Sequence, residues 1–217
     1  MTKTLLITRP RHDIPVEYLY DFTKDILKKI KTNRDIHVSD LQGDRATRER
    51  MEFCLVKENP GLVFCNGHGD KETICGHHNE PILDKQNIHL GKNKIIYALA
   101  CDCLEELGPY AINKGIKAFI GYGSQFMIIR DMSRTTAPDK DKNALPFKKV
   151  CFTLIEALVF GKTVSKAMEL TKRAYENLIK SYGTSDDNYG DIPLIRFALT
   201  WNLEFLGMEG DPEAFFS

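Results

Sequence analysis

Short apolar runs, separated by polar or glycine-containing segments, recur through the first half of the chain. Three of them, at 62–66, 94–100 and 117–122, are rich in Ile, Val, Phe and Tyr and do not alternate with polar residues. Runs of this length are typical of parallel strands that are buried on both faces of a sheet. Two earlier runs, at 5–8 and 35–39, predict two further strands.

Apolar residues at helical spacing mark several of the segments between and after these runs. One predicted helix carries Leu19, Phe22, Ile26 and Ile30 on one face, and two others cover 147–158 and 164–182. The polar segment 70–81 predicts a hairpin or flap, whereas 123–145 has no periodicity. A loop of that length in a compact domain is usually functional or mobile.

The last patterned segment runs from Ile195 to Phe205, and its apolar and polar residues alternate. Alternation of this kind predicts a half-buried strand at a sheet edge. The order of elements predicts an α/β fold with a mostly parallel, roughly six-stranded sheet between helices on both faces. A chain of 217 residues suits one domain, so we expect 1–217 to form a single one.

The composition and the lengths of the apolar runs give no support to several classes of function. Thirty basic residues balance thirty acidic ones, which gives no indication of a nucleic-acid or membrane partner. No apolar run is long enough to span a bilayer or to serve as a signal peptide, so we expect a cytoplasmic protein with its six cysteines as free thiols. No glycine-rich phosphate loop follows a strand, and no cofactor is predicted.

Reactive side chains follow two of the predicted central strands. The first strand ends in Asn-Gly-His-Gly-Asp at 66–70, which places His68 there, and the second ends in Ala-Cys-Asp-Cys at 100–103, which places Cys101 there. In open α/β sheets the binding site lies beyond the carboxyl ends of the strands. We therefore expect His68 and Cys101 to share one crevice.

A thiol and an imidazole in one crevice indicate nucleophilic catalysis. A free thiol becomes a good nucleophile only when a base or a positive field raises its thiolate fraction, and His68 can act as that base. The backbone amides of Gly69 and Cys101 would then both point at the oxygen of an attacked carbonyl and form an oxyanion hole.

These motifs resemble those of a known group. The His-Gly pair within 66–70 and the Ala-Cys pair that ends 98–101 are similar to the motifs of caspase-like cysteine peptidases, and most similar to those of the CHAT and gingipain-type peptidases. The segment 113–121 and the Gly-Asp-Pro at 210–212 agree with that subgroup. The resemblance covers 60–125 well, the C-terminal part moderately, and the first 60 residues only in the order of elements.

The resemblance implies a caspase-like three-layer fold and a peptide-bond hydrolase that needs no metal or cofactor. His68 would be the general base, Cys101 the nucleophile that forms an acyl-enzyme, and Leu99 part of the pocket for the substrate residue before the cut bond. Asp102 and Asp131 are candidates for recognising a basic substrate side chain. Small CHAT-type peptidases often cleave one dedicated protein, including gasdermin-like partners in bacterial defence. We also expect control by a regulatory partner, by processing, or by ordering of 123–145.

Three alternatives stay open at this point. Cys103 is a second thiol near the same strand end, and Asp102 and Cys103 stand where CHAT peptidases tend to have a small residue and Gly. The pairs Cys65/His68 and Cys101/Cys103, together with the cluster at 75–78, contain enough soft ligands for zinc. A caspase-like fold can also serve as a non-catalytic interaction module.

Overall fold

The structure is a computed structural model that describes residues 2–30, 32–183 and 191–217. Its strands are β1 (Lys3–Arg9), β2 (Ile36–Gln42), β3 (Leu62–Asn66), β4 (Thr73–Cys75), β5 (Pro81–Asp84), β6 (Ile95–Leu99), β7 (Ala118–Tyr122) and β8 (Leu206–Gly210). Its α-helices are α1 (Ile14–Ile30), α2 (Arg48–Phe53), α3 (Leu107–Asn113), α4 (Leu145–Val159), α5 (Val164–Ser181) and α6 (Ile192–Phe205).

Six strands form one sheet in the order β2-β1-β3-β6-β7-β8. All neighbouring pairs are parallel except β7 and β8, which run antiparallel. The strands β4 and β5 form a separate antiparallel hairpin, in the region where a hairpin or flap was predicted. The prediction of a mostly parallel six-stranded sheet is therefore confirmed.

Helices cover both faces of this sheet, because successive residues of each central strand point to opposite sides. In β1, Leu5 and Ile7 join the core under α1, α4, α5 and α6, whereas Leu6 joins the core under α2 and α3. Every residue of β3, β6 and β7 is buried. This burial explains why these strands read as uninterrupted apolar runs.

The prediction of a strand from Ile195 to Phe205 is wrong. These residues belong to α6, and only the following residues, Leu206–Gly210, form the edge strand β8. The buried positions of α6 are Ile195, Ala198, Leu199 and Asn202, a spacing of three, four and seven that fits a helical face. Large side chains on the opposite face, such as Phe197, remain exposed and imitate the alternation of a strand.

Among the residues that the structure describes, no helix is both long enough and apolar enough to cross a bilayer.

Candidate active site

The two central strands end side by side at one edge of the sheet. Asn66 is paired with Leu99, and beyond this pair the N–H of Gly67 still donates to Leu99 O at 3.4 Å. His68 and Cys101 each follow two residues later, on neighbouring chains that run in the same direction. Both line one cavity of about 200 Å³, as expected from the sequence.

Glycines at this edge allow the backbone to approach its neighbours closely. A Cβ atom at Gly67 would lie 2.1 Å from Cys75 O, a distance that no side chain can occupy. A Cβ atom at Gly69 would lie 2.9 Å from Ala100 Cβ and 3.0 Å from Cys101 O. The segment that carries His68 is therefore packed directly against the segment that carries Cys101.

The hairpin β4–β5 holds this segment from its other side. Cys75 N donates to His68 O at 2.9 Å, and Asp70 N donates to Thr73 O at 3.0 Å, so that Gly69 and Ile74 face each other as a pair without mutual hydrogen bonds. In such a pair the N–H of each residue points away from the partner strand. The Gly69 amide is therefore not used in pairing with β4.

Asp13 is a site residue that the sequence analysis did not identify. It lies in the loop between β1 and α1, and its Oδ2 is 2.7 Å from His68 Nε2. Its Oδ1 accepts from Val16 N at 3.1 Å and caps the first turn of α1. The available signal was that Asp13 follows β1, whose carboxyl end lies at the same edge of the sheet as those of β3 and β6.

Contacts between β1 and β3 bring Asp13 to His68. Thr8 Oγ1 accepts from Asn66 N at 3.0 Å, and Asn66 Nδ2 donates to Thr8 O at 2.9 Å. Both residues are buried, so these hydrogen bonds tie the two strand ends together without competition from water. The loop after Thr8 and the loop after Asn66 consequently emerge next to each other.

The hydrogen bond to Asp13 determines which nitrogen of His68 is available. With Nε2–H directed at the carboxylate, the neutral imidazole carries its lone pair on Nδ1. Burial acts to raise the pKa of Asp13, but hydrogen bonds from Val16 and His68 and the nearby charges of His68 and His12 outweigh it, and the pKa is lowered. Asp13 is thus held as a carboxylate that can stabilise a protonated His68.

Cys101 is a half-buried thiol rather than a preformed thiolate. Burial raises its pKa, the N–H of Phe126 acts in the opposite direction by hydrogen bonding to the thiol, and the charge of Asp102 raises the pKa further. Because the thiol form is favoured, nucleophilic attack requires a base that removes the proton. His68 is the imidazole that shares its cavity.

Cys103 has a different environment. It is fully buried, its Sγ lies 3.5 Å from Ala100 O, and a Cβ atom at Gly121 would lie 3.1 Å from the same sulfur. Burial raises the pKa of its thiol to about 12. Cys103 is therefore a core residue, and of the two thiols only Cys101 reaches the cavity.

The helix α6 holds the loop that forms the far wall of the cavity. The buried side chain of Asn202 accepts from Met127 N at 2.9 Å and donates to Met127 O at 2.8 Å. Next to it, Trp201 Nε1 donates to Gln125 O at 3.0 Å. These three bonds fix the backbone on either side of Phe126, whose amide faces the thiol of Cys101.

The predicted substrate-binding residues lie in different places. Leu99 lines the cavity with Cys101, whereas Asp102 and Asp131 are not among its lining residues. The Asp131 carboxylate caps a turn, where it accepts from Ser133 N at 2.9 Å and from Ser133 Oγ at 2.7 Å. Asp102 adopts a left-handed backbone conformation with φ of 58° directly after Cys101.

One group of side chains at this edge has donor atoms suitable for a metal ion. Atoms of His12, Asp13 and His68 lie within 4.8 Å of one another, and the structure describes no second group of this kind. A divalent ion such as zinc accepts two imidazoles and a carboxylate. None of the cysteines considered from the sequence, Cys65, Cys75, Cys101 and Cys103, belongs to this group. The same His68 and Asp13 also form the hydrogen-bonded pair beside Cys101.

No protein-family model and no curated protein matches this sequence. The search of solved structures matches gingipain R (RgpB), described as an Arg-specific cysteine proteinase, with a TM-score of 0.57 and 12% identity over 99% of this chain. It also matches the complex of the RgpB pro- and mature domains from Porphyromonas gingivalis, with the same TM-score and identity. This chain has a caspase-like fold. It spans about half the length of these structures, since it covers 47% and 48% of their chains.

Proposed function

We propose that this chain is a cysteine endopeptidase in which Cys101 is the nucleophile and His68 the general base. One observation supports this assignment above all others: a half-buried thiol and an imidazole that is hydrogen-bonded to a carboxylate line the same cavity. Nucleophile, base and orienting group occur together at the strand edge where α/β folds bind their ligands.

In the proposed reaction, His68 Nδ1 accepts the proton of the Cys101 thiol and the thiolate attacks the carbonyl carbon of the substrate. The carbonyl oxygen becomes negatively charged and accepts hydrogen bonds from the amides of Gly69 and Cys101. The tetrahedral intermediate expels the amine, which takes the proton from His68. Water then hydrolyses the thioester with His68 again acting as base.

Asp13 is proposed as a positioning residue in this scheme. Its carboxylate holds the imidazole with Nδ1 available and stabilises the imidazolium that forms when the thiol is deprotonated. Because Asp13 also caps α1, the orientation of His68 is coupled to the start of a helix whose first residues line the cavity.

Identification of the nucleophile by covalent labelling tests the proposal. A peptidyl acyloxymethyl ketone at limiting concentration should modify Cys101 in the wild type and in Cys103→Ala, and should fail to modify Cys101→Ala or His68→Ala. Intact mass and peptide mapping report the modified residue. Labelling that does not depend on Cys101 or His68 would contradict the proposal and favour a non-catalytic interaction module.

The proposal also includes a dedicated protein substrate such as a gasdermin-like protein, which rests on the resemblance of the motifs at 66–70 and 98–101 to CHAT peptidases. It further includes a cytoplasmic location, which rests on the apolar runs of the sequence, and control by a regulatory partner, by processing, or by ordering of 123–145. The matched gingipain is described as Arg-specific, but we do not propose arginine specificity for this chain. Within the described ranges of the chain, no acidic side chain lines the cavity next to Cys101.

A further inference from the structure

The cavity shared by His68 and Cys101 is apolar apart from these two residues. Gly67 and Ala100 also contribute to its lining, and among the residues that the structure describes no Asp, Glu, Lys or Arg does. The larger side chains that form its walls are Pro15, Val16, Leu19, Leu99, Phe126 and Ile128.

These walls come from three parts of the fold that are held in place. Val16 and Leu19 lie one turn apart on α1, Leu99 ends β6, and all three are at least nine-tenths buried. Phe126 and Ile128 lie in the loop that Asn202 fixes through Met127. The cavity is therefore a built feature of the fold and not a gap between exposed side chains.

The volume of about 200 Å³ suits one side chain. An apolar cavity on the order of 150 Å³ in another protein is large enough to bind benzene. Drug-sized ligands usually occupy pockets of about 300 Å³ or more. A Leu, Met or Phe side chain consequently fits the available space.

We propose that this cavity binds the side chain of the substrate residue whose carbonyl Cys101 attacks, and that it selects an apolar residue. The inference rests on the proposed function. Because the sulfur of Cys101 and the amide of Gly69 lie at the same strand edge, a carbonyl bound between them places the side chain of its own residue next to Leu99.

The apolar lining of the cavity disfavours charged substrate side chains. An Arg, Lys, Asp or Glu side chain in the cavity loses its hydration and meets no oppositely charged Asp, Glu, Lys or Arg among the described lining residues, which is unfavourable. Neither Asp102 nor Asp131 lines the cavity. The Asp13 carboxylate lies outside the lining as well, and both of its oxygens are already engaged, one with His68 and the other with Val16 N. An apolar side chain removes its own surface and that of the walls from water, which is favourable.

Four peptidyl acyloxymethyl ketones that differ only in the residue next to the reactive group, namely Leu, Phe, Arg and Asp, test this selectivity. The second-order rate of Cys101 modification should be roughly 100-fold higher for Leu or Phe than for Arg or Asp. Fastest modification by the Arg or Asp reagent would overturn the apolar assignment and leave the peptidase proposal standing. If none of the four modifies Cys101, both fail.

A charge placed inside the cavity provides a second test. Ile128→Asp introduces a carboxylate into the wall, and we expect the Arg-to-Leu rate ratio to rise by at least about tenfold. Met132→Asp is the matched control, because Met132 belongs to the same loop but is 73% exposed and does not line the cavity. An unchanged ratio in a folded Ile128→Asp protein would contradict the inference.

Thermal denaturation establishes whether Ile128→Asp folds. If it does not, Ile128→Ala replaces it, because this substitution only widens the apolar cavity. We then expect the Phe-to-Leu rate ratio to rise, and an unchanged ratio contradicts the inference in the same way.

Discussion

Asp13→Asn tests the role of the Asp13–His68 contact more cleanly than other substitutions at this position. Asp13 has two functions, since Oδ2 contacts His68 Nε2 at 2.7 Å and Oδ1 caps α1 through Val16 N at 3.1 Å. Asn is as good an N-cap as Asp, so the helix start is preserved. At the imidazole, the carboxylate oxygen is replaced by an amide NH2 group, which donates, so His68 loses both the negative charge and the acceptor that holds its proton on Nε2.

The expected magnitude follows from the kind of hydrogen bond that is removed. A hydrogen bond to a charged group contributes about 1.5–3 kcal/mol, and each 1.36 kcal/mol changes a rate tenfold. If the Asp13 carboxylate stabilises protonated His68 in the transition state, Asp13→Asn should lower the rate of Cys101 modification about 10- to 150-fold. Asp13→Glu keeps the charge and should recover part of the rate.

The assay combines the inactivation rate by the Leu-containing ketone with thermal denaturation of each variant. Asp13→Asn should unfold near the wild-type temperature, whereas Asp13→Ala also loses the cap, at a cost of about 1 kcal/mol or roughly 2–4 °C. Glu17→Gln is the control, because it removes a carboxylate of α1 that contacts Arg11 at the surface. A rate within twofold of wild type in Asp13→Asn would refute the proposed positioning role.

Three further substitutions give separate tests. Cys103→Ala should leave the labelling of Cys101 intact. It should lower the unfolding free energy by about 1 kcal/mol, because it removes a buried sulfur. Loss of labelling would mean that Cys103 is the nucleophile. The Asp102 carboxylate raises the pKa of the Cys101 thiol, and Asp102→Asn removes this charge, so the pKa of Cys101 should fall. The thiolate fraction at pH 7 then grows. The midpoint of alkylation by iodoacetamide, measured between pH 6 and 10, should move to lower pH. Asn tolerates the left-handed backbone of Asp102, which makes it a suitable replacement. Asn202→Ala leaves the N–H and C=O of Met127 without their side-chain partner. We expect the unfolding free energy to fall by roughly 1–3 kcal/mol and the modification of Cys101 to become slower. Unchanged fluorescence of the single tryptophan and an unchanged modification rate would contradict the role of Asn202 in holding the loop.

The local pattern of apolar and polar residues was sufficient to predict the central sheet and two residues of the candidate site. The strands around Val63 and Ile96 are buried on both faces, so their sequences had to be apolar throughout, and that property is readable without coordinates. His68 and Cys101 follow these strands directly, and parallel strands bring their carboxyl ends to one edge. Chain order alone therefore predicted that the two side chains share a crevice.

The remaining features depend on contacts between segments that are distant in sequence. Asp13 meets His68 across 55 residues because hydrogen bonds join the ends of β1 and β3. The choice between Cys101 and Cys103 depends on which sulfur faces solvent, and spacing does not show this. The residues of α6 resembled a strand because alternation and helical spacing overlap when large apolar side chains lie on the exposed face.

The sequence by itself indicated the strand edge and the two side chains proposed as nucleophile and base, since each depends on a buried apolar run and the polar residue that follows it. Only the tertiary structure showed which carboxylate contacts His68, which of the two thiols is accessible, and that the cavity lining is apolar. Those properties arise where α1, β6 and the loop held by α6 pack together. This packing depends on contacts and hydrogen bonds between residues that are distant in sequence. The local periodicity of apolar residues does not predict such contacts.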